Sequence, residues 1–497
     1  MAGSLKPKRS KFHKATAVFL CLALLSGCGG SGSSGGSGAA GGGAGDSAGA
    51  DATAETTEKA VGNTRQTQSH DALVAALEAK KELVDHTIEV KNKIRWMAWY
   101  DIDEAQPASE LYKQVFGTPD DSGRIIEFVN TAYENRFTDL SRQVAAGTSP
   151  DMFPFEIANY PYSAYSGLFQ PVDRLITLDN PLFDTTREYI KQFDWGGRLY
   201  VPINSIENSD VLWYRRSVIE DASLDDPYEL YREGKWTWDA FLDMASKFSD
   251  PENSMYILDG WSPENSFAAT TGVPLITLKD GKLQSNLNNG AIERGANLLT
   301  DMWKQKYPYP RAQNNYNINY DAWVKGKTLF FTDGDWRFEE TWANYRDTFK
   351  WGDDEIMFVP YPKDPQSDKY YQLGKVNAFM LVSGAKNTNE YNAFIQCALA
   401  TSSVVVMPEF REKRMKDYGW TEEQLDLLDE IKLDMTPVFD FKNGIGQDLA
   451  DTSNHASDVE SLLKLPYLDG TPSYTQIRAG VEGRINERLA DLNASVS

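Results

Sequence analysis

Cysteine is almost missing from this chain: its 497 residues include three, Cys21, Cys28 and Cys397. The first two lie at the amino terminus, so Cys397 has no partner in the body, which excludes a disulfide-stapled domain. Histidine is as scarce, with four residues, and His70, His86 and His455 have no ligand-spaced neighbour. A histidine-based metal centre is therefore not expected. The acidic runs Asp225-Asp226 and Asp353-Asp354-Glu355 lack the spacing of a calcium loop, and neither a phosphate loop nor a nucleophile elbow occurs. No metal and no cofactor are expected. Positive charge is in deficit, 50 Lys and Arg against 72 Asp and Glu for a net −22. Such a surface repels nucleic acid and anionic lipid. Nowhere does an apolar run reach the ~20 residues that span a bilayer.

What is present starts with Lys6, Lys8, Arg9, Lys11 and Lys14, then the apolar run Ala15 to Leu25 and the tetrad Leu25-Ser26-Gly27-Cys28. A basic start, a short apolar core and small residues predict an export signal over 1–27. The tetrad resembles the lipobox of bacterial lipoproteins, which implies cleavage before Cys28 and lipidation of its thiol. Removing the five basic residues of the signal leaves 45 cations against 72 acids, a mature charge of −27. From Gly29 to Ala50 the chain is nearly all Gly, Ser and Ala. That composition cannot bury a core and forms a tether, here 28–69, with a reach of roughly 25 Å over its Gly-rich part.

The body from about residue 70 alternates strand and helix patterns. Ile94 to Tyr100 reads as a strand, Pro107 to Val115 as a helix, Ile125 to Val129 as a strand, Glu134 to Ala146 as a helix stopped by Gly147, and Asp151 to Phe155 as a strand. This spacing predicts a parallel α/β sheet. A second region opens with the strand Val211 to Tyr214 and the helix Trp238 to Phe248, capped by Thr237. Further strands are expected at Met255 to Leu258, Thr328 to Thr332, Met357 to Val359 and Val376 to Val382. The count makes two α/β lobes.

Several segments then appear in a characteristic order: Ala145-Ala146-Gly147 leading to Pro150-Asp151; Val211-Leu212-Trp213-Tyr214 followed by Trp236-Thr237-Trp238-Asp239; Lys325-Gly326-Lys327-Thr328 leading to Gly334-Asp335-Trp336; Val359-Pro360-Tyr361-Pro362; Gly374 to Ser383; and Ser473-Tyr474-Thr475-Gln476. Together, from Ile94 to Asn493, they resemble the extracellular solute-binding proteins of bacterial ABC importers, the sugar-type family in its lipoprotein form. Arg215 and Arg216 stand where the family commonly has Asn-Lys, and Ser223 stands for a Gly. The resemblance implies a periplasmic-binding-protein-like fold of type II, two α/β lobes with the ligand cleft between them. Lobe one is expected over roughly 90–205 plus 380–435, and lobe two over 210–375 plus the carboxy-terminal helices.

In open α/β sheets ligands bind beyond the carboxyl ends of strands. The expected contacts are Trp99 and Asp101 after the first strand, Glu156, Asn159 and Tyr160 after the third, and Asn204 and Glu207 before the first crossing. In the second lobe they are Trp261 and Trp336 after their strands. The resemblance adds Tyr474. Rings stack on the apolar face of a sugar and carboxylates or amides take its hydroxyls. The expected function is capture of a carbohydrate or oligosaccharide by a monomeric, lipid-anchored protein at the outer face of the cell membrane, for delivery to ABC permease subunits. No catalysis is expected. The rival readings are a secreted carbohydrate-active enzyme using a carboxylate pair such as Asp101 with Glu156, and a solute sensor presenting its ligand to a membrane kinase.

Overall fold

Runs of β-branched and aromatic residues sort into two main sheets in the computed structural model, which describes residues 74–75, 77–103, 106–207, 210–314, 316–402, 408–450 and 457–496. The expected signal, Cys28 and tether lie outside the described residues. In the first lobe β1 (Ile94–Ala98), β2 (Ile126–Asn130), β3 (Met152–Pro154) and β4 (Ile203–Glu207) come in chain order. Four small strands of the second lobe follow the crossing: β5 (Asp210–Arg215), β6 (Tyr256–Gly260), and the hairpin β7 (Ile276–Lys279) with β8 (Lys282–Ser285). Then come β9 (Thr328–Gly334), β10 (Ile356–Val359), β11 (Tyr371–Leu373), β12 (Lys375–Leu381) and β13 (Thr436–Val438).

The first sheet has the order β2-β1-β3-β12-β4. It is parallel across β2, β1 and β3, but β12 enters antiparallel between β3 and β4. The three parallel strands agree with the strand-helix-strand spacing; the antiparallel strand that completes the sheet comes back from the second lobe some 170 residues later, a pairing no local pattern encodes. The second sheet has the order β10-β5-β9-β6. Its inner strand β9 is buried at all seven positions, as a strand covered on both faces must be. Trp213, Trp236, Trp323 and Trp342 are buried to 1% or less around it, so most of the chain's indoles serve the core.

Local chemistry sets the element ends. Gly147 closes the helix Arg136–Ala145 with φ +70°, a conformation that costs a residue with a Cβ. Thr237 Oγ1 accepts the backbone N–H of Ala240 and starts the helix Trp238–Phe248.

Three segments cross between the lobes. The first joins β4 to β5 and the second joins β11 to β12 through Gly374. The third returns at β13, which pairs parallel with β11. The helix Glu422–Asp434, expected with lobe one, packs on the second sheet instead. Gln424 Nε2 donates to the Ile356 carbonyl at 2.6 Å, and Trp420 lies among Trp213, Phe338 and Phe358. Its apolar face covers β10, an edge strand that would otherwise be open, and sequence periodicity cannot say which of two sheets a helix covers.

The stretch after β13 is held by both lobes. Phe439 and Phe441 pack edge-on against Phe193 of the first, at 4.9 and 5.1 Å between ring centroids. On the second lobe's side, the Asp440 carboxylate accepts the N–H groups of Leu275 and Ile276, each at 3.1 Å. Gly444 then passes so close to Tyr160 that a Cβ would collide with the Tyr160 carbonyl. Gly444→Ala should therefore destabilise the protein by at least the ~1–3 kcal/mol of an overpacked core site. Denaturant unfolding tests this, and an unchanged midpoint would refute the tight crossing.

Candidate functional site

Strand direction decides which side chains share an edge. In the first sheet β1, β3 and β4 run the same way, and β4 ends at the first crossing, so their carboxyl ends border that crossing. In the second, β5 starts at the crossing, and β9 runs antiparallel to it with Asp210 opposite Gly334; β6 is parallel to β9. The carboxyl ends of β6 and β9 thus border the same crossing. Trp99 and Glu156 on one lobe, and Trp261 and Trp336 on the other, follow those ends.

On the first lobe Arg136, the opening residue of its helix, binds Glu156 through two parallel contacts of 2.5 Å. Its guanidinium lies 3.7 Å above the Tyr133 ring. Tyr133 meets the half-buried Trp99 edge-on at 4.9 Å. Both partners of the ion pair are 14% exposed, so a forked pair in this setting holds its geometry firmly.

On the second lobe Trp261 is fixed by three hydrogen bonds: its N–H to the Thr332 carbonyl at 2.9 Å, its carbonyl from Thr332 Oγ1 at 2.9 Å, and its Nε1 to Tyr320 Oη at 3.2 Å. Gly260 before it has φ +119° and lies against Thr332, where no side chain fits. Arg337 lies 4.2 Å over Trp336 and 5.4 Å from the centre of Tyr320. Its Nε donates to Asp333 Oδ2 at 2.7 Å. Trp261, Tyr320, Arg337 and Trp336 thereby form one continuous array, with both indoles half-buried. Behind it Asp335 accepts Lys432 Nζ at 2.8 Å, which ties the helix Glu422–Asp434 to the turn just before Trp336.

The model of the bacterial extracellular solute-binding proteins matches residues 120–406. The chain belongs to that family. No curated protein matches the sequence. Among solved structures it is similar to the GacH receptor of Streptomyces glaucescens, known unliganded and with acarbose, at 15% identity and a TM-score of 0.56, over 81% of this chain and 100% of that one. It is also similar to an ABC substrate-binding protein of Listeria monocytogenes in complex with cycloalternan, at 16% and 0.56, over 80% and 99%. A third is the ABC transporter associated binding protein of B. animalis subsp. lactis with β-1,6-galactobiose, at 14% and 0.55, over 82% and 99%. These likenesses show the fold: two α/β lobes of the maltose-binding-protein type.

In this solute-binding protein not every expected contact reaches the shared edge. After Tyr100 the chain doubles back along the sheet, and Asp101 meets Arg124 at 2.5 Å, just before β2 begins. The Asp101 carboxylate is thereby turned toward the start of β2. Tyr160 is 1% exposed, donates to the Phe193 carbonyl and packs on Phe155, so it is core. Tyr474, also 1% exposed, donates to the Leu287 carbonyl and anchors the helix Tyr474–Ala494 inside the second lobe. Both corrections have one cause: a phenol ring buries well once its hydroxyl finds a carbonyl. Asn159 ends a short turn, half-buried. Asn204 is buried, and neither atom of its amide has a hydrogen-bond partner among the described residues. Glu207 closes β4, and its side chain lies outside the described set.

Arg136, Tyr133, Tyr320 and Arg337 are packed into these two arrays, although the sequence reading named none of them. The available signal was position: Arg337 directly follows Trp336, and Arg136 opens the helix after β2. Among the described residues no group of three metal-ligating side chains occurs, and no helix is long and apolar enough to cross a membrane.

Burial pushes the Asp333 carboxyl from 3.8 up to about 6, against the pull of Arg337 and with a small upward push from Asp210. A carboxyl raised on folding favours the folded state while protonated. Its contribution is full below pH 3.8 and is lost as pH rises through about 6. Asp333→Asn should consequently remove a decline in unfolding free energy between those values. Urea titrations of both proteins across that range measure it, and parallel profiles would refute the assignment.

Proposed function

We infer that this solute-binding protein captures a carbohydrate between its lobes and hands it intact to an ABC importer. The observation that carries this reading is the pair of aromatic arrays at the shared edge, one on each lobe, each stiffened by an arginine that is itself held by a carboxylate. Indole and phenol faces match the C–H face of a pyranose, and the adjoining guanidinium groups supply donors for hydroxyl oxygens. Preset rings lose little entropy on binding, which favours affinity.

The carboxylates that an enzyme reading would recruit are each engaged by an arginine. A glycosidase needs one carboxylate free to attack or take a proton and another poised to give one. Glu156 is occupied by Arg136, Asp333 by Arg337 and Asp101 by Arg124. The similar solved structures support the binding reading, since acarbose, cycloalternan and β-1,6-galactobiose are saccharides or saccharide mimics. The reading also includes a monomer held to the outer face of the cell membrane through Cys28, with the tether giving it room to swivel. Its body spans lobe one over roughly 90–205 with 375–402, and lobe two over 210–373 with 408–434 and the carboxy-terminal helices.

Two measurements test this. Calorimetric titration with maltose, maltotetraose and β-1,6-galactobiose should find a ligand that is recovered unchanged. Trp261→Ala and Trp336→Ala should then each weaken it about thirtyfold, the equivalent of ~2 kcal/mol for a stacking anchor. Wild-type affinity in both variants would move the site elsewhere. Mass spectrometry of protein extracted from native membranes should show a mature chain beginning at an acylated Cys28, carrying more than one chain because one alone retains a protein only marginally. An unmodified thiol there, or a terminus at another residue, would refute the anchor.

A further inference from the structure

One polar cluster of the second lobe is almost free of water contact. Lys442, in the stretch after β13, is 4% exposed, and Glu460 of the helix Asp458–Leu468 is 1% exposed. Lysine and glutamate are rarely buried this far. The Lys442 ammonium donates to Asn265 Oδ1 at 2.7 Å and stands 3.7 Å from Glu460 Oε1. Asn265 belongs to the helix Pro263–Ala269, so the cluster joins three segments, and 177 positions separate Lys442 from Asn265.

An amine, a carboxamide and a proton carrier are the groups that amide exchange between side chains requires. The hydrogen bond sets Nζ against the Asn265 carbonyl, one bond from its electrophilic carbon. Lys464 holds Glu460 Oε2 at 3.0 Å, which leaves Oε1 turned to Lys442. Against the upward push of burial, Lys442 and Lys464 draw the Glu460 carboxyl below its ordinary value, so it is ionised and able to accept a proton. Asp440 stands nearby, but its carboxylate is taken by the backbone N–H groups of Leu275, Ile276 and Lys442. Holding amine and carboxamide in contact makes their reaction effectively unimolecular. Exclusion of water keeps hydrolysis from competing. A cavity of about 100 Å³, bordered by Asn265, Lys442 and Asn443, gives a small leaving group room to depart.

We propose that Lys442 and Asn265 join in an intramolecular amide bond, with Glu460 as the proton carrier. Glu460 takes a proton from the Lys442 ammonium, the freed electron pair of Nζ attacks Asn265 Cγ, and the bond from Cγ to Nδ2 breaks. The two protons that Nζ gives up leave with Nδ2 as one ammonium ion, and Glu460 returns to its carboxylate. No oxidant or further reactant is consumed. The product replaces a buried ammonium by a neutral amide and ties the stretch after β13 to the helix Pro263–Ala269. Such a link restricts the unfolded chain as a disulfide does, in a body whose one cysteine has no partner. It holds whatever solute the protein captures.

Mass spectrometry of tryptic peptides from the intact, folded protein tests it. The expected product is peptide 248–279 joined to peptide 433–464, uncut at Lys442. Its mass should lie about 17 Da below the sum of the two, the loss of one ammonia. On a denaturing gel the wild type should run ahead of Lys442→Arg, because the link shortens the unfolded chain. Lys442→Arg and Glu460→Gln should release the two regions as separate peptides, with circular dichroism as the check that each variant is folded. Recovery of 248–279 and 433–442 as free peptides in full yield from the wild type overturns the bond, whether or not the variants fold. A link that persists in folded Glu460→Gln overturns the role given to Glu460.

Discussion

Asp210 starts β5 opposite Gly334, and its carboxylate holds Lys375 at 2.6 Å while Lys375 pairs with Glu207 across the first sheet. Gln372 adds a second tie, donating to the Asp210 carbonyl at 2.7 Å. The junction where two chain segments leave one sheet and enter the other is thus pinned by one ion pair and two registers. Shifting either register by one residue would turn every side chain of that strand to the other face. Trp336 and Glu156 would then no longer border the same gap. The aromatic arrays and the crossings both depend on this junction.

Around it the protein repeats one device with different residues. On each lobe an arginine is forked or paired to a carboxylate at the carboxyl end of the sheet, and the remaining face of its guanidinium lies over an aromatic ring. A carboxylate alone would pay desolvation there without return, and an arginine alone would be mobile. Paired, they keep Tyr133 and Trp336 in fixed attitudes. Asp335 with Lys432 extends the same support to the helix Glu422–Asp434, which precedes the third crossing.

Much of the fold was legible because its strands are short apolar runs bounded by helix caps and glycine stops. The helix Trp238–Phe248 matches its sequence reading at both ends, since Thr237 caps it and the chain turns at Ser249. The strands near 126, 328 and 357 agree within two residues. The site was only half legible. Trp99, Glu156, Trp261 and Trp336 follow strand ends that border the first crossing, because position after a strand is a local property. Asp101, Tyr160 and Tyr474 do not, because a chain doubling back and a ring turning inward are settled by partners such as Arg124, Phe193 and Leu287 that lie far along the sequence.

Sequence by itself determined the two-lobed α/β class, the absence of a disulfide framework, the helix caps and the strand ends on which a ligand would be met, since each follows from composition or from residues within one turn of each other. Tertiary structure alone decided that β12 enters the first sheet antiparallel, that Glu422–Asp434 covers the second, that Arg136 pairs with Glu156 and that Trp261 meets Tyr320. These are meetings between segments tens to hundreds of residues apart, and their free energy comes from burial and pairing that no local window of the chain contains.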